Sequence, residues 1–432
     1  MKKLFLPIVA LAAMALASVA SAVAAVPVHA KHLTAACGEK IHAILFAHMA
    51  KSGMVLGANI FTALQPVLYS AAQEVSNEPF GVIGAINANF DDKGVAVGDT
   101  VAVPVAPVRA PTDFVPGATA PQGDDATAVN VPVQITASKK VSWFLTGEQL
   151  RSLQNGGNDN EWVRQLIAQG MRSLRNLAEV AACQAIKVGA SRAVGVAGTN
   201  PFVSDINVIP DVRKVLFDNG APMADLQLCI DSTAGVAARK LGIIQQAYQA
   251  GSDAERRSGD LLRQFGFQIR ESAGITQHVK GTGANYVTSG STAQGVQNVA
   301  LVTGTGTVLA GDVVTFAADA ANKYVNNVGI AAPGTITLGR PGARQVIPTA
   351  NALTVGNSYT PNLAFERQAV VGIMRPPIFP DNATITKTLI SDAMGMTYLL
   401  LQIEQYGQTS WELHLAYGFK VVQGEHVAIL MG

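Results

Sequence analysis

The sequence predicts an α+β fold, because helical and β-type patterns fill separate stretches of the chain. One long helical pattern covers 158–188. Valines alternate with other residues on both sides of a proline-rich stretch within 95–135. A third stretch, 276–356, is rich in Gly, Thr and Val and has few charges, which is typical of short strands joined by tight turns.

Composition excludes several classes of protein. The chain has 432 residues, of which 49% are hydrophobic and 14% charged, with three cysteines and a formal net charge of +1. This apolar content excludes intrinsic disorder, and three cysteines are too few for a disulfide scaffold. The near-neutral charge argues against a strongly basic nucleic-acid binder. The length is sufficient for two or three domains, and the abundant small apolar residues favour β-rich shells and close chain contacts.

The amino terminus differs from the rest of the chain. Residues 1–22 resemble a secretory signal, with Lys2 and Lys3 before an apolar run and Ala20-Ser21-Ala22 as a small-residue cleavage site. Residues 23–53 contain four of the seven histidines. Two interpretations follow: a signal peptide with a propeptide, or translation that begins at Met54 and leaves 1–53 as upstream sequence. Both place residues 1–53 outside the fold.

The next segment predicts a helix of unusually low charge. Apolar residues recur at helical spacing over 59–76, Pro66 predicts a kink, and Glu74 is its only charged residue. A helix with so little polar surface is expected to pack against a neighbouring chain or beneath another domain.

A long two-stranded hairpin follows. Val101, Val103 and Val105 form one alternating run, and 129–135 forms the other. Prolines inside both strands confine them to a sheet edge. We expect the hairpin to stand off the main body. Because an isolated hairpin is only marginally stable in water, it should lie on another subunit.

The clearest helix covers 158–188. Asn158 and Glu161 have the spacing of a capping box, and an apolar stripe that includes Leu177 runs along the pattern. Arg175 and Glu179 fall off the stripe and are expected outside the core. A helix of this length spans about 45 Å, which suits a structural strut.

The carboxyl-terminal half predicts an α/β unit, a β insert and terminal strands. The α/β unit covers 205–272. The predicted elements are a helix around 207–218, a strand at Leu226–Ile230, a helix from Ser232 to about Leu241, strands at Val299–Val302, Val313–Phe316 and Thr335–Leu338, a strand at Met396–Ile403, an alternating run at Trp411–Tyr417, and a last strand at Val427–Leu430.

The search for catalytic chemistry finds no strong motif. The chain lacks a P-loop lysine motif and a Gly-x-Ser-x-Gly elbow. Its cysteines are too scattered for a zinc site, and Cys183 and Cys229 fit buried structural thiols. The three histidines after residue 53 lack a second ligand at metal-binding spacing and are interpreted as solvated or hydrogen-bonded side chains. We therefore predict no catalytic, cofactor-binding or metal-binding residues and no enzymatic activity.

Several weaker signals have structural explanations that we favour. Gly281-Thr-Gly283 and Gly304-Thr-Gly306 are interpreted as turns, and Asp91-Asp92 and Asp124-Asp125 as solvated loop acids. Arg256-Arg257, near Arg263, could meet phosphate, but we favour a solvated or intersubunit face. Asn382-Ala383-Thr384 matches a glycosylation sequon, which matters only in a glycosylating secretory pathway.

The order of these parts resembles the major capsid proteins of tailed bacteriophages, which have the Hong Kong 97-type fold. The β insert is similar to the extra domain of the podovirus coat branch. Local strings that look similar are 58–69, Gly259–Ser272, Gly311–Phe316, Asn362–Ala369 and Arg375–Phe379. The resemblance covers about 54–432. Residues 1–53 depart from the family pattern, since such proteins assemble in the cytoplasm and need no export signal.

The resemblance implies a domain organisation. The ranges are 54–84 for the N-arm, 85–145 for the extended loop hairpin, 146–199 for the peripheral domain with its spine helix, 200–275 for the axial domain, 276–356 for the inserted β domain, and 357–432 for the return to the axial and peripheral domains with the terminal strands.

The resemblance also implies a function without catalysis or cofactor. Copies of the chain would self-assemble as hexamers and pentamers into an icosahedral shell that encloses double-stranded DNA without binding it specifically. Scaffolding and portal proteins would be partners, assembly would occur in the host cytoplasm, and no membrane would be involved. Other candidates are a secreted or surface-layer structural protein, a secreted hydrolase, and a cellular nanocompartment shell, which would share the fold.

Overall fold

The computed structural model describes residues 81–432 except 92, 107–110, 112, 115, 118–128, 157–158, 242–262, 332, 381–384 and 393. Some predictions therefore lie outside the described residues: those for 1–53, for the helix at 59–76 and most of the arm, for Cys37, for Asn158, for Asp92 and Asp124-Asp125, for Arg256-Arg257 and for Asn382. Among the described helices, none is both long and apolar enough to cross a membrane.

One of the sheets of the described chain has six strands. Its neighbours run in the order β1-β15-β18-β17-β16, and β4 also pairs with β18, whose length allows it two partners on one side. Strands are numbered in chain order. The members of this sheet are β1 (Asn87–Phe90), β4 (Ala137–Thr146), β15 (Val370–Arg375), β16 (Ile385–Ser391), β17 (Thr397–Gln405) and β18 (Gln408–Val421).

Two helices follow β4. Helix α1 covers Gly147–Gly156 and α2 covers Asp159–Gly189, which agrees with the predicted strut. Helix α2 approaches β4 and β18 closely at Gly170, where an added Cβ would lie 3.3 Å from the ring of Trp143. Most of the predicted stripe is buried, but Leu177 is exposed. This correction follows from helix rotation, because a second side of α2 is covered by chain segments near residues 81 and 272.

A second sheet is enclosed on both faces. It contains β5 (Arg192–Gly195), β6 (Leu226–Ile230), β7 (Phe267–Glu271), β14 (Pro361–Glu366) and β19 (Val427–Met431), in the order β5-β19-β14-β6-β7. Along β14 and β19, alternate residues face α2 and its cluster on one side. The others face α3 (Val208–Asp218) and α4 (Ser232–Lys240). Helices on both sides therefore bury these strands completely.

The region 276–356 folds as a closed antiparallel barrel. Its strands are β8 (Tyr286–Thr288), β9 (Asn298–Val302), β10 (Val313–Phe316), β11 (Asp319–Val328), β12 (Thr335–Leu338) and β13 (Ala352–Val355). The pairs β10–β13, β13–β8, β8–β9, β9–β12, β12–β11 and β11–β10 return to the starting strand. Its core cluster draws all members from Tyr286 to Leu353. Strand β11 also pairs with β5, which joins the barrel to the enclosed sheet.

The predicted hairpin is present but shorter than the range assigned to it. Strand β2 (Thr100–Val105) pairs only with β3 (Val129–Gln134), as a two-stranded sheet. Strand β4, which falls within the predicted extended loop, belongs to the six-stranded sheet. The adjacent Lys139 and Lys140 interrupt the apolar alternation, so the sequence did not predict this strand. Among the described strands β4 pairs with β18 alone, and an edge strand can expose such charges.

Candidate functional site

The hairpin carries an apolar face that leaves the protein core gradually. We call this the valine face: Val101, Val103 and Val105 on β2, opposite Val133, Val131 and Val129 on β3. Directly opposed residues in an antiparallel pair point to the same side. On β3, Val133 near the foot is fully buried, Val131 in the middle is half-buried, and Val129 at the far end is 55% exposed, whereas the three valines of β2 are all half-buried. The apolar face thus continues beyond the part that its own chain covers.

The foot of the hairpin is held tightly to the six-stranded sheet. Ile135 is buried, and its cluster includes Ile373 of β15 and Ala416 of β18. The Lys420 ammonium donates a hydrogen bond to the backbone oxygen of Pro132 at 2.9 Å. At Gly418 an added Cβ would lie 2.0 Å from the Gln134 carbonyl oxygen. The prediction that the hairpin stands off the body is therefore wrong for its foot, because these contacts anchor it.

Exposed apolar side chains surround the hairpin. Phe114, in the connection between β2 and β3, is 88% exposed. Val97 lies in the turn before β2 and is also exposed. Beside this turn, Ile378 is exposed while its backbone N–H bonds to the Val95 carbonyl at 2.9 Å. The described part of the chain therefore leaves apolar side chains exposed both at the foot of the hairpin and in its connection.

The thiols have the structural character expected of them. Cys183 on α2 and Cys229 on β6 are both buried and unpaired. Burial, with the Glu179 carboxylate nearby, raises the pKa of the Cys183 thiol to about 12. Burial also raises the pKa of Cys229. Neither side chain can therefore supply a thiolate near neutral pH.

His278 lies in a buried polar cluster at the base of the barrel. Its Nε2 lies 2.8 Å from the Asp312 carboxylate, and its Nδ1 lies 3.2 Å from the Lys187 ammonium of α2. His414 lies 3.0 Å from the Glu412 carboxylate, which also accepts a hydrogen bond from Lys140 at 2.6 Å. Both histidines are hydrogen-bonded, which was one of the two predicted alternatives. The pairing of Lys187 with His278 leaves no signal in the sequence, since 91 residues separate them.

Arg175 and Glu179 are buried, although both fall off the apolar stripe of the helix. Glu179 accepts hydrogen bonds from the Ser272 hydroxyl and from the Val82 backbone N–H. Arg175, Glu179 and Glu271 line a cavity of about 210 Å³. The carboxylate therefore holds two chain segments against α2. The Ser272 hydroxyl donates a hydrogen bond to this carboxylate, and no histidine takes part in these contacts. We therefore do not interpret the serine as an activated nucleophile.

The two Gly-Thr-Gly strings pack against one another inside the barrel region. Thr282 and Thr307 exchange hydrogen bonds, and the Gly283 N–H donates to the Thr307 carbonyl at 2.8 Å. Gly306 has φ +83°, and an added Cβ would lie 2.4 Å from the Thr282 carbonyl. The strings are therefore sites of close backbone approach beside the bridge between Ala284 and Thr305, rather than the turns that the sequence predicted.

The remaining candidate residues are used in local contacts. Asp91 forms an ion pair with Arg375 at 3.4 Å. The Arg263 guanidinium donates to the backbone carbonyls of Ala224 and Gly266. Among the described residues, no group of three or more His, Cys, Asp or Glu side chains is arranged to hold a metal ion.

No protein family and no curated protein matches the chain, whereas solved structures do. The capsid of the cyanophage P-SCSP1u is 13% identical with a TM-score of 0.43, over 82% of this chain and 91% of that one. The mature capsid of bacteriophage PhiM1 is 11% identical with a TM-score of 0.40, over 80% and 85%. A virus-like particle from Pyrococcus furiosus is 10% identical with a TM-score of 0.38, over 84% and 97%. The chain is thus similar to solved structures of phage capsids and of a virus-like particle.

Proposed function

We propose that this chain is the major capsid protein of a tailed phage and that its copies assemble into the icosahedral shell around the genome. The observation that carries the proposal is the valine face, which runs from a fully buried foot at Val133 to an exposed end at Val129. Contact with a second copy of the chain would bury the exposed end of this apolar face.

The energetics favour burial of the hairpin on a neighbour. A two-stranded ribbon with no third strand is marginally stable in water. Each half-exposed valine gains on the order of 1 kcal/mol when another chain covers it. The exposed Phe114 at 88% and the apolar foot at Val97 and Ile378 extend the same surface. The total is modest for one contact, as expected for a subunit that joins several neighbours.

Shell assembly multiplies such contacts. A standard interface buries about 800 Å² per partner. In a closed symmetric assembly each copy offers and receives the same projections, so that individually weak interfaces act together. We infer that hexamers and pentamers of this chain form the shell, with the hairpin of one copy lying on the next.

The domain organisation implied by the sequence fits this proposal. We assign the N-arm to 54–84, the extended loop hairpin to β2, β3 and their connection, the spine helix to α2, the axial domain to 200–275, the inserted domain to 276–356 and the peripheral domain to the six-stranded sheet with α2. Two observations support the assignment: α2 lies along β18, and the barrel has a core of its own.

The proposal requires no chemistry from the chain. We propose no catalytic activity and no cofactor, and scaffolding and portal proteins as assembly partners. A formal net charge of +1 is compatible with enclosing double-stranded DNA without specific binding, because a strongly basic lining would hold phosphate in a salt-dependent way. The site of action is then the virion, after assembly in the host cytoplasm.

A secreted or surface-layer structural protein is not favoured. It would account for the signal-like segment 1–22. It leaves unexplained a hairpin whose apolar face extends beyond its own core and a 31-residue helix, α2, in a charge-poor chain. The intact mass of the product made by the native host separates the two proposals. A chain that begins near Met54 fits a capsid, and one that begins near Val23 fits export.

Electron microscopy of the expressed full chain tests the proposal directly. We expect closed icosahedral particles. A variant that lacks residues 106–126 should keep the monomer fold, measured by circular dichroism and thermal unfolding, and should form no particles. A protein that stays monomeric at every concentration and salt condition would contradict the proposal, as would normal particles from the deletion variant.

A point-substitution pair provides a matched control. Val129→Ser changes the exposed end of the valine face, whereas Val328→Ser changes a strand end on the barrel that is equally exposed, at 53%. We expect Val129→Ser to lower particle yield severalfold and Val328→Ser to leave it unchanged. Equal yields from the two variants would remove the valine face as the assembly contact.

A further inference from the structure

The chain enters and leaves the barrel through two segments that pair with each other. The His278 N–H donates to the Tyr359 carbonyl at 2.8 Å, and the Tyr359 N–H donates back to the His278 carbonyl at 3.1 Å. We call this pair of segments, 276–281 and 356–360, the stem. The stem carries both covalent connections between the barrel and the rest of the fold. Hydrogen bonds beside β5 and β11 also join them, including one from the Val325 N–H to the Ser191 carbonyl.

A buried polar cluster locks the stem to the long helix α2. The Lys187 ammonium on α2 contacts His278 Nδ1 at 3.2 Å, and His278 Nε2 contacts the Asp312 carboxylate at 2.8 Å. Asp312, in the loop before β10, also accepts hydrogen bonds from the Leu309 N–H at 2.7 Å and the Gly281 N–H at 3.1 Å. All three side chains of this Lys–His–Asp cluster are buried.

The geometry assigns one protonation state to the closed arrangement. An ammonium group has only protons to donate, so Nδ1 of His278 must be the acceptor, and the proton of the neutral ring must be on Nε2, facing the Asp312 carboxylate. The ring then connects a cation on α2 to an anion of the barrel. A second proton on the ring would place an N–H at Nδ1, directly facing the Lys187 ammonium.

We propose that His278 is an acid-sensitive lock between the barrel and α2. The neutral ring holds Lys187 and Asp312 together. Protonation converts the Lys187 contact from a hydrogen bond into a repulsion between two cations, while the contact to Asp312 becomes an ion pair. Acid therefore releases the stem from α2 and leaves the ring attached to the barrel.

The other polar and titratable groups near the His278 ring do not change charge at mildly acidic pH or do not contact the ring. The Tyr359 ring lies 5.3 Å from the His278 ring and its hydroxyl donates to the Gly311 carbonyl at 2.7 Å. Burial raises the pKa of Tyr359, so this group stays neutral. On α2, Gln184 accepts a hydrogen bond from Lys187, and Cys183 is a buried neutral thiol. Lys280 is exposed and reaches the Asn357 side chain instead of the ring.

Burial also lowers the pKa of Lys187, against the opposing effect of Asp312. An ammonium that already lacks water depends strongly on its few partners, and in this cluster these are Gln184 and His278. When His278 no longer accepts a hydrogen bond, Gln184 is the remaining acceptor of these two. The Lys187 side chain is then favoured to move away from the stem.

Amide hydrogen exchange of the full chain tests the lock, because the paired N–H groups of His278 and Tyr359 report directly on the stem. After correction for intrinsic rates, we expect the stem peptides to exchange about tenfold faster at about pH 5 than at about pH 7.5. The measurement applies equally to monomers and assemblies, so its outcome is independent of the proposed function.

Three variants decide the cause. In His278→Gln an amide that does not titrate can still accept from Lys187 and donate to Asp312, so the acid response should disappear while the stem stays protected. In Lys187→Met the repulsion is absent, so stem exchange should be the same at both pH values. His414→Gln is the matched control, because His414 also contacts a carboxylate near a lysine but lies in the six-stranded sheet. It should keep the full response of the stem.

Equal stem exchange at the two pH values in the unmodified chain would overturn the proposal. So would a full acid response in His278→Gln or in Lys187→Met. If one of these variants fails to fold, the other still decides the question.

Discussion

The barrel and the hairpin are both antiparallel β structures, but they differ in how completely their strands are paired and their apolar faces are covered. Each strand of the barrel pairs with two others of the ring, and the side chains of its core come from 286–353 alone. Among the described residues the hairpin has two strands and no third strand beside them, and most valines of its apolar face are only half-buried. The difference teaches that the barrel forms a closed ring of strands with its own core cluster, whereas the hairpin has neither.

The strongest way to break this comparison is to damage the barrel core. Phe316 is buried and its ring meets the Tyr324 ring edge-on at 5.9 Å. We expect Phe316→Ala to cost about 3–5 kcal/mol, because a large cavity forms in a closed core. Denaturant unfolding measures the loss, and hydrogen exchange should increase in barrel peptides but not at the hairpin foot.

Exposed Phe217 on α3 provides the control for that substitution. Phe217→Ala should change the unfolding free energy by less than about 0.5 kcal/mol. If Phe316→Ala increased exchange equally throughout the chain, the barrel would not be the self-contained unit that the comparison describes.

The next largest effect is expected at the foot of the hairpin. Because a Cβ at Gly418 would meet the backbone of Gln134, Gly418→Ala should cost about 3 kcal/mol and displace the hairpin. Thermal or chemical unfolding measures this cost. Gly147→Ala is the control, since nothing lies within 4 Å of its added Cβ. Equal stability of the two variants would show that the hairpin foot is not tightly held.

A pair of valine substitutions sharpens the comparison within the hairpin itself. Val133→Ala, at the buried foot, should cost about 2 kcal/mol in the isolated monomer. Val129→Ala, at the exposed end, should change monomer stability by less than about 0.5 kcal/mol. Chemical denaturation of both variants at low concentration provides the test. A similar cost for both would mean that the monomer already covers the whole valine face.

The smallest effect concerns pH. Burial lowers the pKa of His414, against the opposing contact with Glu412. The unfolded chain therefore binds a proton at this residue more readily than the folded one. The resulting stability is present above the ordinary histidine pKa and is lost as the pH falls through the folded value. We expect His414→Gln to flatten the dependence of unfolding free energy on pH in this range. An unchanged slope in denaturation series would contradict this.

Patterns that depend on one exposed and one buried face were predictable from the sequence. The hairpin valines alternate in the sequence and in the structure, and α2 lies where the periodicity places it. Strands β6 and β14 are both buried throughout, so neither shows an alternating pattern of exposure. The apolar residues of Leu226–Ile230 predicted β6, whereas β14, which contains Asn362 and Glu366, was not predicted. Strand β11 was missed for another reason. Its buried Asn326 reads as a loop residue, yet it donates a hydrogen bond to the Leu309 carbonyl.

The candidate assembly surface was partly predictable. Alternation located the valine face, but not how deeply each valine is buried, because the cluster it packs against includes Ile373 of β15 and Ala416 of β18, which are distant in the sequence. The Lys–His–Asp cluster was beyond reach of sequence patterns. Its members come from α2, the stem and the loop before β10, and only the closed tertiary fold brings them into contact.

The mutual pairing of His278 and Tyr359 gives the barrel a modular character. Antiparallel neighbours have Cα atoms about 5 Å apart, so the main chain spans almost no distance between the point where the barrel begins and the point where it ends. A short turn could bridge that gap, and any foreign domain whose termini are adjacent could be grafted there. Such an exchange would have to protect the edge of β5, which β11 covers at Arg192 and Ala193, and the core cluster around Ile186 of α2, to which Val313 and Val325 contribute.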